Sequence, residues 1–553
     1  MPPHLRPKTS RPMRRSSSDA GQGAARRLGA ARFVRVDRAH ARARREAAQA
    51  RDLAPVAGWN QLVADSMVVS GSTLFCQAIG VVTSLLFRAL VSPLQMGVWQ
   101  GLKLFLTYGN YLNLGVSKGA ARELAVARGR GDETQAEAGL HSAFTANTLA
   151  SLALGAALMI AAVWQYQFRG GWSNPWSAGL AAMAVLVILQ RYETFLVTIQ
   201  RARQQFSLTS RLSVIEAVLT LAIGGLATWR WGLPGLYISA GCVLVVAIAY
   251  LQLNAPTPLE LRWDRDELRR LTAIGLPMLL TGVLTSLFRS LDKLMILACM
   301  AEGTYQLGCY SVALLVGTQL YGIANQLAMV GAPRYAELWG STNDRRAVAQ
   351  LVARNSQFIA WAMAGAGLLA VVVATPALAW MLPQYAEGLP ALAWLAPGVA
   401  AAGLAVPLTN YLATIDRQGR SLSILGAATG CTVVLLRIVI GQGGGLVGVS
   451  AMTTLTSIGY LAALAYASIW PELNGEERRR YALHLAGSLL LLGFPALVRW
   501  SFGGEWNEQS GERYLTCLGL LGGWGFAAMC GWAWASRQQR SRRRSHVAPE
   551  FAG

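Results

Sequence analysis

Thr272–Met300 reads TAIGLPMLLTGVLTSLFRSLDKLMILACM, an apolar run that carries Arg289, Asp292 and Lys293 in its second half. A helix rises 1.5 Å per residue, so a run of this length crosses a ~30 Å hydrocarbon core. About fourteen apolar stretches of 20–29 residues follow one another from Met67 to Ala535. They are set at 67–90, 95–116, 140–164, 176–197, 210–229, 233–253, 272–300, 305–332, 356–382, 390–411, 421–441, 446–470, 481–500 and 514–535. The chain is 53% hydrophobic and 14% charged, with mean hydropathy +0.36. A water-soluble domain is about a quarter charged. The expected fold class is therefore an all-α polytopic membrane protein.

The turns outward from this stretch alternate in charge. Of 49 Lys and Arg, 40 lie on the N-terminal arm, the C-terminal tail and every second turn, and the intervening turns hold only Arg169, Arg230, Arg499 and Arg513. Arg191, Arg201, Arg203 and Arg211, for example, fall together in one basic turn. Cytoplasmic loops retain Lys and Arg, so both termini are expected in the cytoplasm, with an even number of spans. The net charge of +21 lies on that face, where it meets anionic lipid headgroups rather than nucleic acid. Residues 1–58 lack the apolar core of a secretory signal. They read as a basic, disordered arm, as a surface helix in their second half, or in part as sequence ahead of the true start.

The seven cysteines show no CxxC and no metal spacing, and the five histidines form no ligand pair. Cys299 and Cys309 flank a short turn and have a disulfide open to them. Gly441–Gly448 lacks the Lys and Ser/Thr of a phosphate loop, so no nucleotide site and no cofactor are expected. Exterior turns are short, leaving no room for a catalytic domain.

A weak repeat runs through the chain. A shift of 211 places Gly97-Val98-Trp99 on Gly308-Cys309-Tyr310 and Thr107 on Thr318. The preceding spans carry Thr83-Ser84-Leu85-Leu86-Phe87-Arg88 and Thr285-Ser286-Leu287-Phe288-Arg289 in a different register. Parallel halves of this kind are a transporter architecture with the site between them at mid-membrane. The expected organisation is an arm (1–58), a six-helix lobe (59–253), a linker (254–270), a second six-helix lobe (271–470), two further helices (471–535) and a basic tail (536–553).

Five basic residues fall within spans or at their ends: Arg88, Lys103, Arg289, Lys293 and Arg437. Cations in hydrocarbon are costly and mark functional positions. Thr281, Thr285, Arg289 and Lys293 recur every four residues and share one face of a continuous helix. Asp292 stands as the anion three residues from Arg289. The cluster is either self-neutralised for helix packing or a diphosphate site, which Arg holds with forked hydrogen bonds. Gln100, Lys103, Thr107 and Asn110 form a matching stripe, and Ser311, Thr318 and Asn325 a third; these also suit helix-to-helix contact. Arg88 and Arg437 lie near exterior span ends, as snorkelling side chains or as a basic mouth. Glu216 is the candidate for ion coupling, or pairs with Arg211 or another nearby base. With Asp292 and Glu216 as the in-span carboxylates, the cavity favours anions.

Leu86-Phe-Arg-Ala-Leu-Val-Ser-Pro-Leu-Gln-Met-Gly-Val-Trp99 resembles the R-x-L-x-P-x-x-x-G segment of bacterial polysaccharide flippases. Tyr111–Gly115, Gly119–Ala125 and Gly129–Asp132 resemble their first cytoplasmic loop. Ile274-Gly-Leu-Pro277, Leu291-Asp-Lys293 and Leu307-Gly-Cys-Tyr-Ser-Val-Ala313 resemble their seventh and eighth spans. The resemblance covers roughly 60–470. It implies a member of the oligosaccharide-lipid branch of the multidrug/oligosaccharidyl-lipid/polysaccharide exporters, with two lobes and alternating access in the bacterial inner membrane. The implied cargo is a polyprenyl-diphosphate-linked oligosaccharide for a surface polysaccharide such as O-antigen, with a polysaccharide polymerase as possible partner. Span 1 lacks the internal arginines of peptidoglycan-precursor flippases. The alternatives are a multidrug extruder, a polytopic glycan polymerase or ligase, and a non-transporting scaffold.

Overall fold

The computed structural model describes residues 59–501 apart from 131–132, 169–170 and 258. The arm, the stretch 514–535, the tail, Cys517 and Cys530 lie outside the described residues. Among the described residues are sixteen α-helices and no strand. In order they are α1 (Trp59–Leu90), α2 (Pro93–Gly109), α3 (Val116–Arg130), α4 (Glu133–Phe168), α5 (Pro175–Ala202), α6 (Phe206–Trp231), α7 (Leu233–Asn254) and α8 (Arg265–Phe288). Then come α9 (Leu291–Cys299), α10 (Gly303–Thr342), α11 (Arg345–Leu369), α12 (Thr375–Met381), α13 (Leu389–Thr414), α14 (Gln418–Gly441), α15 (Gly445–Ser468) and α16 (Gly475–Ser501). Among the described residues eleven segments are long and apolar enough to cross a membrane. The chain is a multi-pass membrane protein.

Local chemistry sets the helix starts. Ser92 and Gln95 form a reciprocal capping box with Pro93 in the first turn of α2, satisfying donors that the helix start leaves free. Asp264 accepts from the Asp266 and Glu267 amides and opens α8.

Two expected spans differ. The stretch 95–116 is not one helix: α2 stops at Gly109, and Asn110–Gly115 form an elbow into α3, with Leu114 and Gly115 at φ 51° and 81°. The stretch 272–300 is interrupted at Arg289 and Ser290, between α8 and α9. Cys299 and Cys309 are both free thiols.

Lipid is as apolar as a leucine side chain, so helices in a bilayer associate through close packing rather than through hiding from water. The C-terminal half packs around α13, whose Leu392, Ala396, Leu404 and Leu408 meet Ala324, Met363 and Leu464. The N-terminal half packs around Leu102, Met183, Val187 and Leu236, and this cluster also takes in Val312, Leu378 and Tyr385 from the other half. A third cluster joins Val116, Leu124, Ala143 and Phe195 to Leu268 and Leu271. The halves thus touch near both ends of the bundle: a basic end, where the Arg-rich turns lie, and a neutral end.

Candidate functional site

The contacts between the halves run from α1–α4 to α8, α10 and the turn that holds Gln384 and Tyr385. At the neutral end α2 crosses α10 through Gly97 and Gly308. A Cβ on Gly97 would overlap Thr304 O and stand 3.1 Å from Gly308 N; one on Gly308 would overlap Pro93 O and stand 3.1 Å from Gly97 N. Thr304 and Gly308 follow Pro93 and Gly97 by the same 211 residues, so the crossing has the symmetry of the repeat. Only glycine permits backbones to meet this closely.

Two antiparallel seams flank this crossing. Along one, Arg88 of α1 donates to the Ser311 hydroxyl (3.1 Å) and carbonyl (2.9 Å) of α10, and Gln77 lies against Gly322. Along the other, Tyr108 of α2 bonds Ser290 (2.5 Å) and Tyr111 bonds Ser286 (2.6 Å). The seam continues through α3: Gly115 meets Gly275, Gly119 meets Leu271, and Arg270 bridges Glu123 at 2.8 Å. The Lys118 ammonium, pushed down from its ordinary value by partial burial, reaches the Met278 carbonyl at 3.4 Å.

The Tyr108–Ser290 bond organises the cations. Thr107 adjoins Tyr108, and Lys103 lies about one turn further along α2. Arg289 adjoins Ser290, and Lys293 follows in α9. Lys103, Thr107 and Arg289 are exposed, and Lys293 is half-buried. Lys103 lies within Coulombic range of Lys293 and Arg88. The Arg289 guanidinium carbon stands 3.7 Å from the centre of the Tyr321 ring, and Lys103 Nζ 5.8 Å from that of Trp99. Among the described residues no carboxylate oxygen lies within 4.0 Å of the side-chain nitrogens of Lys103, Arg289 or Lys293. Positive charge is therefore gathered here without a direct ion pair, although Asp292 lies within Coulombic range of Lys293. Thr281 and Thr285 donate back to the Pro277 and Thr281 carbonyls, which leaves their oxygens as acceptors.

Several expected site residues sit elsewhere. Asp292 does not neutralise Arg289. The break before α9 removes the i, i+3 relation, and Asp292 is buried in the C-terminal half, accepting from the Tyr310 hydroxyl (2.9 Å) and the Lys293 amide (2.8 Å). Arg88 does not snorkel and forms no exterior mouth with Arg437. It is 5% exposed and spans to α10, because Ser311 and the Ser84 carbonyl supply three acceptor contacts. Arg437 is exposed on α14 beside exposed Val434 and Ile438. Asn110 is the C-cap of α2. Asn325, half-buried, lies one turn beyond Tyr321 with its amide 3.7 Å from the Met329 sulfur. Glu216, half-buried on α6, lies within Coulombic range of Glu193 of α5 and of a nearby base, Arg201; among the described residues it makes no ion pair within 4.0 Å.

The sequence reading missed four features. Glu193 is a third in-span carboxylate, inside 176–197. Tyr108 and Tyr321 position the cations from other helices. Arg191, assigned to a basic turn, is 4% exposed within α5, where it donates to the Gly109 carbonyl and Asn147 Oδ1. It thereby neutralises the negative C-terminus of α2 and fixes the elbow.

Residues 125–386 match the model of a family described as polysaccharide biosynthesis protein. No curated protein sequence matches the chain. Among solved structures, the lipid II flippase MurJ in an inward closed conformation aligns with TM-score 0.61 at 14% identity, over 85% of this chain and 99% of that one. An inward-facing multidrug resistance MATE transporter of the MOP superfamily aligns with TM-score 0.59 at 14% identity, over 74% and 95%. A MOP superfamily transporter from Pyrococcus furiosus, described as having a binding pocket of reverse polarity, aligns with TM-score 0.52 at 13% identity, over 76% and 94%. The chain has the fold of these solved transporters, and its residues 125–386 are similar to the family described as polysaccharide biosynthesis protein.

Proposed function

We propose that the protein flips a polyprenyl-diphosphate-linked oligosaccharide across the bacterial inner membrane for surface polysaccharide synthesis, acting as a transporter rather than an enzyme. The basic end is the cytoplasmic one in this reading. The observation that carries it is the group Lys103, Arg289 and Lys293, held between the halves with no carboxylate oxygen within 4.0 Å of its side-chain nitrogens among the described residues. Such a group attracts an anionic headgroup and repels organic cations. A diphosphate satisfies the free guanidinium edge of Arg289 with paired charge-assisted hydrogen bonds, which an ammonium forms less specifically. The glycan travels between two six-helix lobes while the polyprenyl chain stays in lipid. The neutral-end crossing and the basic-end seam part alternately. Energy comes from an ion gradient, the membrane potential or mass action, with Glu216 and its neighbour Glu193 as the groups able to carry a coupling ion.

The test is transport in liposomes loaded with a fluorescent polyprenyl-diphosphate oligosaccharide. Wild type moves the label to the far leaflet, and Arg289→Ala slows it about 10- to 150-fold, as expected for loss of hydrogen bonds to a charged group. Equal rates for the two proteins refute the assignment of Arg289. The Glu193–Glu216 pair keeps a multidrug extruder as the second reading, and efflux of cationic dyes by the same liposomes would favour it.

A further inference from the structure

The position of Arg289 raises a question of its own. It follows the last residue of α8, so no helical turn confines its side chain, and an exposed arginine carries about 2 kcal/mol of rotamer entropy. Yet the guanidinium lies 3.7 Å from the Tyr321 ring centre, well inside the ~6 Å reach of a cation–π contact. That contact uses the face of the guanidinium. Its five N–H donors lie in the plane of the group, and among the described residues no hydrogen bond or ion pair engages them. The backbone beneath is also fixed. The Arg289 amide donates to the Thr285 carbonyl (3.1 Å), and Ser290 donates to the Ser286 carbonyl (2.6 Å) while bonding Tyr108. Next to Tyr321, Gly322 lets Gln77 of α1 close against α10.

We infer that Tyr321 is a positioning residue, a flat platform that holds the Arg289 fork edge-on to the site so that it meets a diphosphate already oriented. This inference rests on the flippase reading above. The ring, not the phenol hydroxyl, does the work. Arg88, which follows a similar Thr-Ser-Leu stretch in a different register, has no such platform among the described residues and spends its donors on Ser84 and Ser311, so the stacked geometry is particular to Arg289.

The experiment is a double-mutant cycle on the full-length protein in detergent, with farnesyl diphosphate as the titrated probe and farnesyl monophosphate as its control. Tyr321→Phe is expected to bind the diphosphate within about 2-fold of wild type. Tyr321→Leu and Tyr321→Gln, two variants in case one does not fold, are expected to bind it about 2- to 30-fold more weakly, the range of a cation–π contact. Adding either to Arg289→Ala is expected to cost nothing further. Wild-type affinity in both platform-less variants overturns the inference, as does a loss that persists unchanged in the Arg289→Ala background, since that loss would be structural. If Arg289→Ala itself binds the diphosphate as wild type does, the flippase assignment of Arg289 falls and the platform with it.

Discussion

Replacing Gly308 with alanine should force the neutral end apart. The added Cβ would overlap the Pro93 carbonyl oxygen and stand 2.6 Å from its carbon. Carbon atoms rest about 3.5–4.0 Å apart, so α2 and α10 must separate by roughly 1 Å. Overpacking of this kind costs about 1–3 kcal/mol. Here the strain falls on a contact between the two halves and weighs on the state in which that contact is closed. The closed-to-open ratio should therefore fall about 5- to 150-fold. Lys103 lies six residues below Gly97, about 9 Å along the helix, and its position reports the opening. With Lys103→Cys in an otherwise cysteine-free chain, a membrane-impermeant maleimide added at the neutral face should react at least about 5-fold faster once Gly308→Ala is present. Gly340→Ala lies on the same helix, with nothing within 4 Å of its Cβ, and should leave the rate unchanged. An unaltered rate in Gly308→Ala, with unaltered thermal stability, would refute the claim that this crossing closes the neutral end.

Gly275→Ala should act at the opposite end, because its Cβ would overlap the Gly115 carbonyl oxygen; the same Lys103→Cys reporter should then react faster with reagent supplied at the basic face. Arg191→Met should cost about 1.5–3 kcal/mol by removing the charge-assisted bonds to the Gly109 carbonyl and Asn147, which then keep only the Leu112 amide and Asn113 as donors; this is read as a lower thermal midpoint, with Arg191→Lys intermediate.

Spans were legible because run length and charge alternation are one-dimensional signals, and the repeat was legible at its glycines. The 211-residue shift found from Gly97 and Gly308 reappears as reciprocal contacts with Thr304 and Pro93. The break after Phe288 was not legible. Arg289 and Ser290 carry no Pro or Gly, and the interruption is fixed by Tyr108, 182 residues away in sequence. For the same reason Asp292 looked like a neighbour of Arg289 although its partner is Tyr310. Arg191 was misread because an arginine near the end of an apolar run resembles a loop cation, and its acceptors come from positions 109 and 147. The cations Lys103, Arg289 and Lys293 were named from periodicity, but what holds them depends on side chains contributed by other helices.

Arg88 and Arg289 each follow a Thr-Ser-Leu stretch and a phenylalanine in their own half, yet one is a buried strut and the other an exposed, stacked side chain. Two similar stretches each carry a costly group, and the two have divided the labour. The first spends its charge on cohesion, so the second is released from that duty and its hand is left open. A perfectly twofold molecule would have to employ both alike, and could grip its cargo only by loosening itself.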